Sequence, residues 1–333
     1  MESLNVLLTS TVGAMDNECL QQITSVSPRI KLTNASDLFR AERRGDSTAK
    51  EKLDALLAEV DVVFGRRFPQ NIITRAPKLK WIQAMGAGVD RILTDDIVKS
   101  PVIMTNVSGI HATPIGEFVI GLMLMFVKQA PLCFQLKQEK QWNQFFPSVL
   151  RSKTVGIVGL GSIGWEVARL AKAFGMRVLA IRRSTRRAGR ARYVDIMLPR
   201  DQLRQLLMES DFVVIALPFT RETTRLIGEE ELRAMKPTAY LINIARGGIV
   251  DEEALIRALD EYWIAGAGLD VFATEPLPVD SKLWELPNVI LSSHVSGGMD
   301  NYNMRATEVF LENLRRYLDG KKLLNVVDKR KGY

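Results

Sequence analysis

The stretch Thr154-Val-Gly-Ile-Val-Gly159-Leu-Gly161-Ser162-Ile163-Gly164 decides the fold. An apolar strand over residues 154–158 runs into G-x-G-x-x-G, and an amphipathic helix follows over 163–174. In that pattern Gly159 permits a tight turn, Gly161 lets the backbone approach a pyrophosphate, and Gly164 lets the helix pack on the strand. The free amides at Ser162 and Ile163, with the positive end of the helix dipole, then face the phosphates. A lone motif of this kind is weak. Here the strand precedes it, the helix follows it, and the next strand, 177–181, arrives on schedule.

That next strand ends in Arg182-Arg183-Ser184-Thr185. An acid there would accept from the ribose hydroxyls of NAD and would repel a 2′-phosphate. Guanidinium groups hold such a phosphate with paired, charge-assisted hydrogen bonds. The expected cofactor is therefore NADP(H), held by Arg182, Arg183 and Ser184, with NAD(H) the second choice. Six arginines fall between residues 182 and 192, and they account for all but one unit of the net charge of +7. The positive charge is one local patch. Arg187, Arg190 and Arg192 read as a solvated basic loop. No recognition motif or interleaved aromatics accompany them, which argues against nucleic acid.

Outward from this motif, short apolar strands alternate with amphipathic helices, the pattern of parallel α/β layers. Strands are expected over 5–8, 60–64, 81–84 and 102–105, and then over 154–158, 177–181, 211–217, 239–244, 266–269 and 289–291. Helices are expected over 49–58, 114–128, 163–174, 201–208, 252–262 and 301–318, with Pro131 stopping the second of these. The length of 333 residues suits two domains. With 47% hydrophobic and 25% charged residues, the composition is that of a globular protein. The longest apolar run, 118–127, is too short to span a bilayer, which needs roughly 18 residues. The start lacks the features of an export leader, and Cys19 and Cys133 make neither a disulfide framework nor a metal cluster. The expectation is a soluble cytoplasmic protein with no membrane partner and no metal.

Three further segments follow strands of the second half: Asn243-Ile-Ala245-Arg246-Gly247-Gly248, Asp270-Val-Phe-Ala-Thr-Glu275-Pro276 and Ser292-Ser293-His294-Val-Ser-Gly297-Gly298. In open α/β sheets the ligand crevice lies outside the carboxyl ends of the strands, so these residues are expected to gather there. Alone, Arg246 could neutralise a loop carboxylate, Glu275 could be a turn residue and His294 a satisfied partly buried imidazole. Together, they match a chemistry. A 2-oxo acid needs its carboxylate held, its carbonyl polarised and a proton delivered as hydride arrives. The fork of Arg246 suits the first two tasks, and His294 suits the third. Glu275 bonded to His294 would favour the imidazolium form. His111, the other histidine, reads as a structural or hinge residue.

Four motifs in this order, GLGSIG, INIARGG, GLDVFATEPLP and SSHVSGG, make the chain resemble the D-isomer-specific 2-hydroxyacid dehydrogenase family along nearly its whole length. The resemblance implies two doubly wound parallel-sheet α/β domains. A Rossmann cofactor domain, residues 109–296, is inserted into a flavodoxin-like substrate domain, residues 1–108 with 297–333. It also implies a homodimer formed through the cofactor domains, and catalysis by Arg246, Glu275 and His294.

By motif match, Asp270 would bind the nicotinamide carboxamide, while Leu217, Pro218 and Thr223 would border the adenine side and pyrophosphate. Ala245, Arg246, His294 and Gly297 would line the cofactor, and the amides of Ala87, Gly88 and Val89, with Arg246 and His294, would receive a small 2-oxo or 2-hydroxy acid. Glu275 argues against the formate dehydrogenase branch, which carries glutamine there, and Ala87 against the phosphite dehydrogenase branch, which carries lysine. Dinucleotide-sensing co-repressors share the fold and the triad. They stand as the alternative function.

Overall fold

The computed structural model of the chain describes residues 3–10 and 15–333. It divides into two compact units, one of Met1–Ile110 with Met299–Tyr333 and one of His111–Gly298.

The first unit is a five-stranded parallel sheet of β1 (Leu4–Ser10), β2 (Ile30–Asn34), β3 (Val62–Gly65), β4 (Trp81–Ala84) and β5 (Ile103–Thr105), in the order 2-1-3-4-5. That order is the flavodoxin-like one. Alternation along β1 sends Leu7 to one apolar layer, with Leu53, Leu57 and Val63, and Val6 and Leu8 to the other, with Phe64 and Trp81. The helix Tyr302–Leu318 belongs to that second layer. Its Phe310 is fully buried and stacks on Phe64 at 4.3 Å between ring centroids. A buried polar chain fixes the register. Trp81 Nε1 donates to Thr105 Oγ1 at 2.7 Å, Thr105 donates to Gln83 Oε1 at 2.7 Å, and Asn313 Nδ2 donates to the same oxygen at 3.0 Å.

The second unit carries β6 (Thr154–Val158), β7 (Arg177–Ile181), β8 (Gly189–Ala191), β9 (Val194–Leu198), β10 (Phe212–Ile215), β11 (Tyr240–Asn243), β12 (Gly266–Leu269) and β13 (Val289–Leu291). Their order is 13-12-11-10-6-7-9-8, parallel throughout except for β8, which runs antiparallel on β9. From β9 through β12 this is the Rossmann order 3-2-1-4-5-6, whose switch point lies between β6 and β10. Strands β6, β10, β11 and β12 are buried almost throughout, as parallel strands covered on both faces must be.

The helix Ala112–Val127 is apolar nearly all round and joins the core layer of Val155, Ile157 and Val214. Among the described residues, no single helix is long and apolar enough to cross a membrane.

Beyond the expected elements the structure has, among others, β2, β8, β9 and the helices Asn17–Ser25, Ser36–Glu42 and Ala130–Glu139. Pro131 does follow the end of one helix. It also sits in the first turn of the next, where its missing N–H costs nothing.

Candidate active site

All seven parallel strands of the second unit point their carboxyl ends the same way, so the segments after β6, β7, β10, β11, β12 and β13 share one edge. At its centre, Gly159 has φ +108°, and a Cβ there would lie 2.6 Å from the Ala216 carbonyl oxygen that follows β10. A Cβ on Gly164 would lie 2.3 Å from Gly159 O. Gly161 is different: a Cβ there would meet no protein atom within 4 Å. The helix Ser162–Ala173 starts at that open position, and the amides of its first turn, Ser162 and Ile163 among them, have no partner within the helix.

After β7, Arg182, Arg183 and Ser184 are exposed, in a turn closed by Thr185 N–H donating to Arg182 O at 3.0 Å. No acid stands between Ile181 and Asp195. Leu217 and Pro218 follow β10. The Thr223 hydroxyl donates to Pro218 O and accepts from Thr220 N–H, both at 2.8 Å, so it staples its own loop.

After β11, the Asn243 side chain brackets the next turn. It accepts from Ala245 N–H at 3.1 Å and donates to Arg246 O at 3.1 Å. Ala245 is buried, and Arg246 Nη1 donates to Ala245 O at 2.7 Å. After β12, Glu275 Oε1 accepts from Phe272 N–H at 3.3 Å. After β13, His294 takes a left-handed conformation, φ +55°, uncommon for a residue with a side chain. Its Nδ1 lies 3.0 Å from Glu275 Oε2. With Nδ1 committed to the carboxylate, Nε2 is the ring nitrogen left for a substrate oxygen, and the side chain is 40% exposed.

Asp270 lies beneath this turn and is fully buried. Its Oδ1 accepts from Ser292 Oγ at 2.6 Å and Val295 N–H at 2.8 Å, and its Oδ2 from Ser296 N–H at 3.0 Å. Its carbonyl accepts from His294 N–H at 2.8 Å. That inward use is not visible in the sequence. His111, read from the sequence as a structural or hinge residue, stands at the N-terminal end of the helix Ala112–Val127. A Cβ on Gly297 would stand 2.9 Å from His111 Cδ2. Burial first, and the Arg246 charge second, push the His111 imidazole down to about 4.

Ala87, Gly88 and Val89 belong to the first unit, in the loop after β4. Asn106 Nδ2 donates to Ala87 O at 2.8 Å, the Tyr302 hydroxyl donates to Met85 O at 2.6 Å, and Val89 is buried.

A glycine-rich turn at the switch point, with an imidazole–carboxylate pair on the same sheet edge, defines a dinucleotide-dependent oxidoreductase. Residues 120–296 match the D-isomer specific 2-hydroxyacid dehydrogenase, NAD binding domain. The chain belongs to the D-isomer-specific 2-hydroxyacid dehydrogenase family.

It is 37% identical over 264 residues to a glyoxylate reductase of Korarchaeum cryptofilum (strain OPF8), covering 77% of this chain and 78% of that one. A family member from Xanthobacter autotrophicus Py2, solved with NADPH and MES, is similar at TM-score 0.83 and 29% identity over 100% of both chains. An NADPH-dependent glyoxylate/hydroxypyruvate reductase from Sinorhizobium meliloti, solved with NADP and sulfate, is similar at TM-score 0.83 and 26% identity, covering 99% of this chain and 100% of that one. The protein is thus an NAD(P)-dependent enzyme that interconverts 2-oxo acids and D-2-hydroxy acids.

Proposed function

We propose that the protein is an NADPH-preferring reductase of small 2-oxo acids, with glyoxylate and hydroxypyruvate as the first candidates. The observation that carries this reading is the 3.0 Å contact between His294 Nδ1 and Glu275 Oε2. The contact fixes the ring orientation and leaves Nε2 to exchange a proton with the substrate oxygen. Arg246 grips the substrate carboxylate and polarises its carbonyl through a planar, permanently charged fork. The family resemblance assigns the amides of Ala87, Gly88 and Val89 to substrate binding. The bound dinucleotide supplies or removes the hydride.

On this reading residues 109–296 hold the cofactor, and residues 1–108 with 297–333 hold the substrate. Arg182, Arg183 and Ser184 bind the 2′-phosphate, Leu217 and Pro218 border the adenine, and Thr223 shapes their loop. Ala245, Gly297 and Asp270 line the nicotinamide. Asp270 is counted with them on the family resemblance alone, since its carboxylate is fully buried on three internal hydrogen bonds. NADPH preference is supported by the two exposed arginines at the end of β7 and by the NADPH and NADP found in the two solved relatives.

A homodimer is supported by an apolar arm between the helix Ala130–Glu139 and β6, where Trp142 is 91% and Phe146 98% exposed. Cytoplasmic residence is supported by two free thiols, Cys19 and Cys133. The test is a panel of 2-oxo acids assayed by NADPH consumption. Turnover of glyoxylate or hydroxypyruvate is the expected result. Tight NADPH binding without turnover of any 2-oxo acid would leave a dinucleotide sensor instead.

A further inference from the structure

Glu252 opens the helix Glu252–Asp260, where an acid ordinarily reads as a complement to the helix dipole. The cap is already made by its neighbour: Asp251 Oδ1 accepts from Ala254 N–H at 3.2 Å. Glu252 Oε2 reaches instead to Ala273 N–H at 2.9 Å, two residues before Glu275. The Phe272–Ala273 peptide is held from a second side by Gly247, the residue after Arg246. A Cβ on Gly247 would lie 1.9 Å from Phe272 C, 2.1 Å from Phe272 O and 2.3 Å from Ala273 N. Only glycine lets the Arg246 turn sit this close to that peptide. Glu275 uses Oε1 on Phe272 N–H and Oε2 on His294 Nδ1. One peptide thus meets Gly247 and, through its own N–H, Glu252, and the amide just before it carries Glu275.

We propose that Glu252 is a positioning residue for the proton-handling pair: its hydrogen bond to Ala273 N–H pins the Phe272–Ala273 peptide against Gly247, and so fixes where Glu275 holds His294 relative to Arg246. The inference rests on the reading of His294 and Glu275 as that pair. The bond is charge-assisted, and its loss would let the segment carrying Glu275 turn its amide to water. Misplacement of a reacting group by about 1 Å reduces rate by roughly 100-fold, so partial loosening is expected to cost on the order of tenfold.

The test compares Glu252→Ala, Glu252→Asp and Glu252→Gln in the full chain. The measurements are kcat and KM for the 2-oxo acid and for NADPH, and the isotope effect with NADPH deuterated at the transferred position. Glu252→Ala is expected to lower kcat about tenfold, leave KM for NADPH unchanged and raise the isotope effect as hydride transfer becomes slower than product release. Glu252→Asp, one methylene shorter, is expected to behave like alanine, and it carries the test if the alanine variant does not fold. Glu252→Gln keeps a carbonyl acceptor and is expected to restore most of kcat.

Wild-type kcat in both Glu252→Ala and Glu252→Asp would overturn the proposal, as would Glu252→Gln being as slow as they are. His294→Ala is run beside them. Near-normal turnover in that variant removes the pair itself, whereas a dead His294→Ala beside a fully active Glu252→Ala removes only the role of Glu252.

Discussion

The Ser292 hydroxyl donates to Asp270 Oδ1 at 2.6 Å, and this bond, with the Val295 and Ser296 amides on the same carboxylate, ties the His294 turn to the end of β12. A fully buried carboxylate with three donors cannot be removed cheaply, because the donors are left without a partner. Asp270→Ala is expected to lose about 3 kcal/mol of stability, read from urea unfolding. Ser292→Ala removes one donor and is expected to lose roughly 1 kcal/mol. Equal, negligible losses would show that the turn holds itself.

His294→Ala is expected to reduce kcat by about 10² to 10⁴, the usual contribution of a positioned proton donor. The dissociation constant of NADPH, measured by fluorescence titration, should stay nearly the same, because Gly159, Gly161 and Gly164 are untouched. Glu275→Gln should lie between this variant and the parent, since glutamine can still accept from Nδ1 without carrying charge.

Replacing Arg182 and Arg183 with alanine should weaken NADPH by roughly 10- to 100-fold, as expected for one or two charge-assisted bonds to phosphate. NADH should be affected little. Equal losses for both cofactors would place the discrimination elsewhere along the edge.

The His111 imidazole, pushed from 6.5 down to about 4, gives a pH signature. Between those values the unfolded chain binds a proton at this residue and the folded chain does not. Stability contributed by the neutral ring is therefore full above pH 6.5 and is lost as pH falls toward 4, by about 3 kcal/mol. His111→Asn cannot charge, so its stability should fall less steeply across that window in urea unfolding at stepped pH. A parallel fall in both proteins would exclude His111 as a source of the acid sensitivity.

Trp142→Asp combined with Phe146→Asp should convert a dimer to monomers in sedimentation velocity, since a charge at each exposed ring opposes burial. An unchanged sedimentation coefficient would move the interface away from this arm.

The inner strands were legible because they are buried on both faces and read as unbroken apolar runs, as in Phe212–Ile215. Strands with few buried residues or an interrupted apolar run carry a weaker signal. In Ile30–Asn34 only Ile30 is buried, and Gly189–Ala191 holds no large apolar residue. In Val194–Leu198 the run is broken by Asp195, whose charge is taken up by Lys172 Nζ at 2.9 Å and Val178 N–H at 2.8 Å.

The site divides in the same way. Arg246, Glu275 and His294 could be singled out as candidates because chemistry limits which residue types can stand after β11, β12 and β13. Glu252 could not, because a carboxylate in a first helical turn has an ordinary explanation until its neighbours are seen.

The last long helix has a consequence for how the chain is made. Phe310 covers Phe64, and Asn313 completes the polar chain of Gln83 and Thr105. Those partners leave the ribosome long before the residues that cover them. The nascent amino-terminal sheet must wait, one apolar layer open, while the whole His111–Gly298 unit is synthesised. A released chain truncated after Gly298 should therefore resist protease across that later unit while the earlier sheet is still cut.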